Sequence, residues 1–209
     1  MKIIGLSGGI ASGKNEVAKI FSDQGINIFD ADQVVHELYS NNLEIIEKVK
    51  KIFPKSYQNS IINRKILSDL IDQQPNKLTD LEAIIHPKIR EQYQDFLTKN
   101  HQLNSKLVVI NIPLLLEQDF YRYDYLIAII SDEEIRKKRF IQRYQVNNPD
   151  KIIDINLLIE KFNYFKNLQI DDQERIKNAN FIIENNKDLE ILKDQVLTIY
   201  KLFIINKKK

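Results

Sequence analysis

The stretch GLSGGIASGKNEVAK, from Gly5 to Lys19, decides the fold because it joins a short apolar run to a helical pattern through clustered glycines. Four of the five glycines in the chain lie within its first thirteen residues. Glycine permits positive φ angles and lets the backbone approach a ligand closely. The cluster therefore indicates a turn at which the backbone comes close to a bound molecule.

The spacing of these residues identifies the kind of turn. Gly8, Gly13 and Lys14 fit the pattern G-x-x-x-x-G-K, with a strand pattern before it and a helix pattern after it. In such a loop the backbone N–H groups and the helix N-terminus face a phosphate chain, and the lysine reaches the β- and γ-phosphates. The residues that we expect to bind ATP are Gly8, Gly9, Ala11, Ser12, Gly13, Lys14, Asn15 and Glu16.

Asn15 and Glu16 depart from the usual loop, in which a Ser or Thr hydroxyl follows the lysine and binds Mg²⁺. The carboxamide oxygen of Asn15 is an acceptable hard ligand on a longer arm, so we predict Asn15 as the metal ligand. Glu16 suits the first turn of a helix but would repel phosphates if it pointed inward. We expect Glu16 to face solvent or to reach the metal through water. The loop would then bind ATP, but its contacts with Mg²⁺ would differ from those of the usual loop.

The order of the remaining patterns predicts the fold class. A strand at 2–7, a helix that ends at Gly25 and a strand at 26–32 form a βαβ unit. Further strand patterns lie at 106–113, 123–130 and 180–185, separated by helical patterns. We predict a three-layer α/β fold with a five-stranded parallel sheet that is covered by helices on both faces.

The segment from Gln33 to Asn100 is predicted to be mainly helical. His86 and Pro87 suit a helix start, because proline is tolerated in the first turn. The polar segment 144–156 is expected to be the most mobile part of the chain. One predicted helix face consists of Leu43, Ile46, Val49 and Phe53.

Two aspartates of the sequence FDAD, Asp30 and Asp32, follow the second strand. Ligands of parallel sheets bind beyond the carboxyl ends of the strands. Phosphoryl transfer to a hydroxyl needs a carboxylate that orients the nucleophile and accepts its proton. Both Asp30 and Asp32 are candidates for this role, while either aspartate can instead cap the following helix.

The sequence EEIRKKRFIQRY (133–144) places Arg136, Arg139 and Arg143 on one helical stripe. Three guanidiniums there would neutralise charge on a phosphoryl group in transfer. A solvated basic face is the alternative interpretation.

Composition excludes several classes of protein. The chain has no cysteine, which rules out disulfides and thiolate metal sites, and its net charge of +2 does not favour nucleic-acid binding. The lysines at 207–209 are expected to be a solvated tail. No apolar run approaches the roughly eighteen residues of a membrane span, and the run at 3–6 is too short for a signal peptide. We expect a cytoplasmic monomer with no membrane partner.

The motifs GLSGGIASGK, FDAD, NRKIL, LEAIIHPKIR, IPLLLE and AN-FIIEN, taken in this order, resemble the dephospho-CoA kinase family from residue 1 to about 190. The resemblance implies a P-loop kinase fold with a helical substrate-binding insertion and a lid. It also implies Mg²⁺-dependent transfer of the ATP γ-phosphate to the ribose 3′-hydroxyl of dephospho-CoA. The implied parts of this single domain are a core at about 1–32, 104–131 and 176–209, an insertion at 33–103 and a lid at 132–175.

The resemblance also implies roles for single residues. Asp32 would be the catalytic base and Lys14 would hold ATP, while Arg139, ahead of Arg143, would be the lid arginine that acts on the phosphates. The acceptor side would be shaped by His86, Pro87, Arg90 and Glu117.

The lid departs from the family pattern in several places. Arg175 and Asn180 stand where lysine and aspartate are common in the family, whereas Asn185 matches. A second lid arginine and a glutamine have no clear counterpart in LLIEKFNYFKN (157–167).

Two other functions compete with this one. One is a P-loop kinase for a nucleoside monophosphate or another small metabolite, against which HPKIR and PLLLE argue. The other is a non-catalytic nucleotide-binding protein whose loop has decayed at Asn15 and Glu16. The presence of Lys14 and Asp32 argues against that decay.

Overall fold

A computed structural model describes residues 1–147 and 154–205. The central part of the segment predicted to be mobile, 148–153, and the lysines at 207–209 lie outside the described residues. The chain divides into two compact units, one formed by Met1–Phe29 with Asn104–Lys209 and the other by Asp30–Leu103.

The described residues form strands and helices that are numbered here along the chain. In chain order the elements are β1 (Lys2–Gly8), α1 (Lys14–Asp23), β2 (Asn27–Asp30), α2 (Ala31–Asn41), α3 (Leu43–Ile52), β3 (Tyr57–Gln58), β4 (Ile61–Ile62), α4 (Arg64–Gln73), α5 (Leu78–Gln102), β5 (Leu107–Asn111), β6 (Tyr125–Ile130), α6 (Glu133–Asn147), α7 (Ile155–Asn167), α8 (Asp172–Asn178), β7 (Phe181–Glu184) and α9 (Leu189–Ile205).

The main sheet has five strands in the order β2, β5, β1, β6 and β7. β1 lies at its centre, with Ile4 opposite Val109 of β5 and opposite Tyr125 of β6, and both pairings are parallel. Strands covered on both faces are apolar along their length, as β5 is. The predicted α/β fold with a five-stranded parallel sheet is therefore confirmed.

Helices α1 and α9 pack on one face of this sheet. Val17 and Phe21 of α1 and Val196 of α9 are fully buried against Ile4 and Ile127 of the central strands. Burial of a side chain of this size stabilises a fold by about 1.5–3 kcal/mol. This packing fixes the start of α1, and with it the loop that joins β1 to α1.

The second unit contains α2 to α5 and a small antiparallel hairpin of β3 and β4, which is absent from the predicted elements. The two turn residues, Asn59 and Ser60, both have positive φ (50° and 67°). Two consecutive residues with positive φ are typical of the type I′ turns that close tight hairpins. The usual Asn-Gly signature is absent here, so the pattern gave no signal.

The predicted helix start at His86 and Pro87 is wrong, because both residues lie inside the 25-residue helix α5. A buried stripe passes through the proline with a spacing of four residues, formed by Leu81, Ile85, Ile89 and Tyr93. Proline inside a helix removes one hydrogen bond and costs about 3 kcal/mol. Packing on both sides of Pro87 offsets that cost and keeps the helix continuous.

The predicted face of α3 needs one correction. Leu43 is 78% exposed, whereas Ile45, Ile46 and Val49 are buried. Asn42 caps α3 by accepting a hydrogen bond from the N–H of Ile45, which places Leu43 at the first helical position. Within residues 1–147 and 154–205, no helix combines the length and apolar content needed to cross a membrane.

Candidate active site

The loop between β1 and α1 has the shape that the sequence predicts. Ala11 and Gly13 have left-handed backbone conformations, with φ of 58° and 100°. The N–H of Ser12 donates to the carbonyl of Gly9 at 3.0 Å, and the N–H of Glu16 donates to the carbonyl of Gly13 at 3.0 Å. Asn15 and Glu16 therefore continue α1 normally and do not break the loop.

Two side chains of the loop, those of Lys14 and Ser12, are placed where they can contact a bound ligand. Lys14 donates from Nζ to the carbonyl oxygen of Gly8 at 2.5 Å, so its ammonium group lies at the end of β1. The hydroxyl of Ser12 is buried and makes no hydrogen bond with any described residue. Buried hydroxyls in native proteins almost always have a partner. An orphaned donor at this point fits an oxygen of a bound ligand.

Arg136 of α6 lies directly against the loop. Its side chain is almost fully buried, and a Cβ atom added to Gly9 would collide with its guanidinium. Nη2 lies 3.4 Å from Oδ2 of Asp172, and buried Nε has no hydrogen-bond partner among the described residues. Glycine at position 9 thus leaves room for the close approach of a positive charge.

Arg175 of α8 is a second buried cation in the same region, only 2% exposed. Its Nε donates to the hydroxyl of Ser7 at 3.0 Å, and its Nη1 donates to Oδ1 of Asp172 at 2.6 Å. Asp172 is therefore shared by Arg136 and Arg175. The cluster carries one net positive charge, which suits a phosphate ligand.

The segment between α7 and α8 closes over the loop. Oε1 of Gln169 accepts a hydrogen bond from the N–H of Ile10 at 2.7 Å, and Oε1 of Glu117 accepts one from the N–H of Ile170 at 3.0 Å. A small pocket lies here. It is lined by Ser7, Gly8, Lys14, Ile112, Leu114, Leu115, Glu117, Gln169 and Arg175.

An apolar cluster anchors the two helices of this region to the loop. Phe140 of α6 and Phe162 of α7 meet edge to face, with ring centroids 5.8 Å apart. Ile10 and Ala11 of the loop pack against this cluster. The loop and the helices that carry its arginines are thus joined by apolar packing as well as by hydrogen bonds.

The three arginines of the predicted stripe, Arg136, Arg139 and Arg143, have different surroundings. Arg139 donates to the carbonyl oxygen of Asn185 at 3.0 Å and to Oγ of Ser131 at 3.3 Å, and burial lowers its pKa. Arg136 faces the loop, and Arg143 is exposed. Residues three positions apart on a helix are rotated by about 60° from one another, so neighbouring stripe residues can face different surroundings.

Asn185 connects Arg139 to the loop. Its Oδ1 accepts a hydrogen bond from Nη2 of Arg139 at 3.3 Å, and its Nδ2 donates to the carbonyl oxygen of Ser12 at 2.8 Å. A Cβ atom added to Gly13 would collide with this amide group. Arg139 is therefore connected to the loop through Asn185.

Asn15, the predicted metal ligand, has a specific partner. Nδ2 of Asn111, the last residue of β5, donates to Oδ1 of Asn15 at 2.9 Å. The part of the chain that the structure describes contains no cluster of three or more acidic, His or Cys side chains suited to a metal ion. The oxygens near the loop still fit Mg²⁺, provided that most of its ligands come from the nucleotide phosphates.

The second unit carries the remaining predicted residues. β2 ends at Asp30, whose Oδ1 caps α2 by accepting a hydrogen bond from the N–H of Gln33 at 3.0 Å. The alternative role of Asp30 as a helix cap is therefore confirmed. Asp32 lies in the first turn of α2, so strand alternation does not extend to it. His86, Pro87 and Arg90 lie along α5, and their predicted roles stay predictions.

Several residues at this site were not among the predicted site residues. Asn111 ends a buried strand beside β1, and the rule that ligands bind at carboxyl strand ends gave a signal for it. Arg175 differs from the family pattern in the sequence only as an arginine in place of lysine. Gln169 follows directly on the helix in which the glutamine of the lid could not be placed. Nothing in the local pattern indicates that Asp172 would pair with two arginines.

A central parallel strand that leads into a glycine-rich phosphate loop, with buried arginines beside it, defines the class of P-loop phosphotransferases. The chain belongs to the dephospho-CoA kinase family, whose profile matches residues 2–190. The fold and family predictions are thereby confirmed, as is the prediction of an ATP-dependent phosphotransferase. Family membership disfavours both competing functions considered for the sequence.

Individual relatives agree with this assignment. A dephospho-CoA kinase of Bartonella henselae is 36% identical over 99% of this chain and 100% of its own length. A crystal structure of a Thermus thermophilus protein superposes with a TM-score of 0.74 at 26% identity, over 100% of this chain and 98% of that one. A dephospho-CoA kinase from Campylobacter jejuni superposes with a TM-score of 0.64 at 21% identity, over 97% of each chain, which shows the shared fold.

Proposed function

We propose that this enzyme transfers the γ-phosphate of ATP to the ribose 3′-hydroxyl of dephospho-CoA, with coenzyme A and ADP as products. The observation that carries the proposal is the phosphate loop with Lys14 and two buried arginines beside it, in a chain that matches the family almost from end to end. The proposed setting is the cytoplasm, with a monomeric enzyme, small-molecule substrates, and no nucleic-acid or membrane partner.

On the nucleotide side, the loop backbone and Lys14 hold the phosphates. Arg136 and Arg175 carry positive charge at Gly9 and Ser7, where the phosphate chain would enter the loop. Charge spreads over the oxygens of the phosphoryl group in the transition state, and preorganised cations stabilise it. We assign this role to Arg136 and Arg175, and propose that Arg139 and Arg143 act further out, on the remainder of the nucleotide.

The geometry of the loop supports the proposed contacts with ATP. The hydroxyl of Ser12, which has no hydrogen-bond partner among residues 1–147 and 154–205, suits a phosphate oxygen, as does the close approach permitted by Gly8, Gly9 and Gly13. Ala11 in the loop and Asn15 at the start of α1 would contribute backbone N–H groups, and Glu16, whose N–H donates to the carbonyl of Gly13, would share that hydrogen with a phosphate oxygen. The N–H of Ile10 donates to Oε1 of Gln169, and ATP binding would break this hydrogen bond and free the N–H for a phosphate oxygen.

On the acceptor side, we propose Asp32 as the base that orients the 3′-hydroxyl and accepts its proton. Its support is its position two residues after the end of β2, since acceptors bind beyond the carboxyl ends of parallel strands. His86, Pro87 and Arg90 on α5, and Glu117 after β5, are proposed to shape the dephospho-CoA pocket. Glu117 would do so through its hydrogen bond to the N–H of Ile170.

Mg²⁺ is the proposed metal cofactor. When bound it would supply positive charge that neutralises the negative charge developing on the phosphates. The protein atom proposed to contact it is Oδ1 of Asn15, a neutral oxygen held by Asn111.

One assay tests this function. The enzyme is incubated with ATP, Mg²⁺ and either dephospho-CoA or one member of a panel of nucleoside monophosphates, and ADP formation is followed. Dephospho-CoA is expected to be the preferred acceptor by kcat/KM, and the ³¹P NMR spectrum of the product should show a new 3′-phosphomonoester. Faster turnover of a nucleoside monophosphate would contradict the proposal. ATP binding without turnover of any acceptor would favour a non-catalytic protein.

A further inference from the structure

Two asparagines meet at the place where P-loop enzymes hold their metal ion. In that class of enzyme the metal ligands are a Ser or Thr after the loop lysine and an aspartate of the Walker B motif. In this chain Asn15 follows Lys14, and Asn111 ends β5, the strand next to β1. Their side chains are joined by a hydrogen bond of 2.9 Å.

The geometry of this contact gives the two residues different tasks. Asn111 is only 3% exposed, so its amide is held in place, whereas Asn15 is exposed at the start of α1. Because Asn111 donates from Nδ2, it fixes the direction in which Oδ1 of Asn15 points. A carbonyl oxygen has two lone pairs, so Oδ1 can accept this hydrogen bond and still bind a cation.

The charge of the pair is as important as its geometry. Both side chains are neutral, and the described residues include no acidic cluster suited to a metal ion. A carboxylate at either position would repel metal-free ATP and attract Mg²⁺, which would make nucleotide binding strongly dependent on the metal. A neutral pair repels metal-free ATP less and attracts Mg²⁺ less.

We propose that Asn111 is a positioning residue that orients the carboxamide of Asn15, and that this neutral amide pair weakens the coupling between Mg²⁺ binding and ATP binding. The inference rests on the proposed function in one respect only, namely that the loop binds ATP. Metal and nucleotide binding are reciprocally linked, so the ratio of ATP affinities with and without Mg²⁺ measures the coupling directly.

The test measures ATP affinity by isothermal titration calorimetry, once in excess EDTA and once in saturating Mg²⁺. For Asn111→Asp we expect metal-free affinity to fall and affinity in Mg²⁺ to be kept, so that the ratio of the two rises about tenfold or more. The matched control is Asn104→Asp, an exposed residue before β5, at the opposite end of the strand. Its φ of 53° is one that aspartate tolerates, and its ratio should equal that of the wild type.

A second charge variant covers the case in which aspartate at the buried position prevents folding. Asn15→Asp places the same charge on the exposed partner, and it should raise the affinity ratio in the same sense. The positioning role is tested by Asn111→Leu, which removes the donor but keeps a side chain of similar volume. This variant should bind metal-free ATP as the wild type does, whereas Mn²⁺ binding to its ATP complex, measured by water-proton relaxation, should weaken several-fold.

Each outcome decides the matter. Wild-type ratios in both folded Asp variants would overturn the neutral-pair inference while leaving the proposed function intact. An unchanged Mn²⁺ affinity in Asn111→Leu would overturn the positioning role. Failure of the wild-type enzyme to bind ATP under either condition would overturn the inference together with the proposed function.

Discussion

Asp172 accepts a 2.6 Å hydrogen bond from Nη1 of Arg175, and its other oxygen lies 3.4 Å from Arg136. The two guanidiniums are almost fully buried, whereas the carboxylate is 28% exposed. Two buried cations beside each other are tolerated only when a nearby anion compensates them. Asp172 supplies that anion in the absence of nucleotide, and it holds Arg136 and Arg175 where they can bind a phosphate.

Removing this carboxylate should destabilise the protein. Asp172→Asn leaves two buried guanidiniums with a neutral neighbour, so we expect the free energy of unfolding in urea to fall by about 3 kcal/mol. The control is Glu134→Gln, which removes an exposed ion pair with Lys137 and should cost less than about 1 kcal/mol. ATP should restore part of the loss in Asp172→Asn, because it binds only the folded state and brings its own negative charge. Equal losses in the two variants would contradict the proposed role of Asp172.

Gly9 should matter for catalysis more than for folding. In Gly9→Ala the new Cβ would collide with the end of the Arg136 side chain, which is flexible and can swing away. We expect the free energy of unfolding to change by less than about 1 kcal/mol and kcat to fall about a hundredfold, as when one preorganised donor is lost.

A double-mutant cycle isolates this effect. If Gly9→Ala acts by displacing the guanidinium, it should lower kcat little further in an Arg136→Met background. Additive losses in the double variant would show that Gly9 acts through the backbone of the loop instead.

Tyr39 gives the second unit a specific response to alkaline pH. Burial raises the pKa of its phenol to about 12, with the positive charge of Arg64 acting in the opposite sense. The unfolded value is about 10, so the stabilisation from the neutral phenol is complete below pH 10 and is lost as pH rises to about 12. Between these values Tyr39→Phe should reduce the slope of unfolding free energy against pH by up to about 1.4 kcal/mol per pH unit. The exposed Tyr164→Phe is the control, and an equal slope in both variants would contradict the prediction.

The parts of the molecule that the sequence predicts are those set by local rules. The loop follows from glycine spacing, and the strands follow from uninterrupted apolar runs such as β5. Helix α5 marks the limit of such rules, because proline chemistry favours a start at Pro87 and long-range packing of Leu81 and Tyr93 overrides it.

The candidate site shows the same limit more sharply. The loop contributes residues that are adjacent in sequence, and the pattern identified them. Arg136 and Asp172 are separated by 36 positions, and Arg175 and Ser7 by 168. A buried arginine is indistinguishable in sequence from a solvated one, because only the folded chain shows which carboxylate or hydroxyl accompanies it.

Asp32 is predicted to be the residue whose loss separates binding from chemistry. Asp32→Asn keeps the shape of the side chain but removes the proton acceptor, so kcat should fall by about a hundredfold or more while the Kd of ATP, measured by calorimetry, stays within a few-fold. The control lies two residues earlier. Asp30 caps α2 through its side-chain oxygen, and asparagine caps helices as well as aspartate does, so Asp30→Asn should leave both quantities nearly unchanged. If Asp30→Asn lost activity and Asp32→Asn kept it, Asp30 would be the base and Asp32 would not. Full activity in both variants would show that the base is another residue.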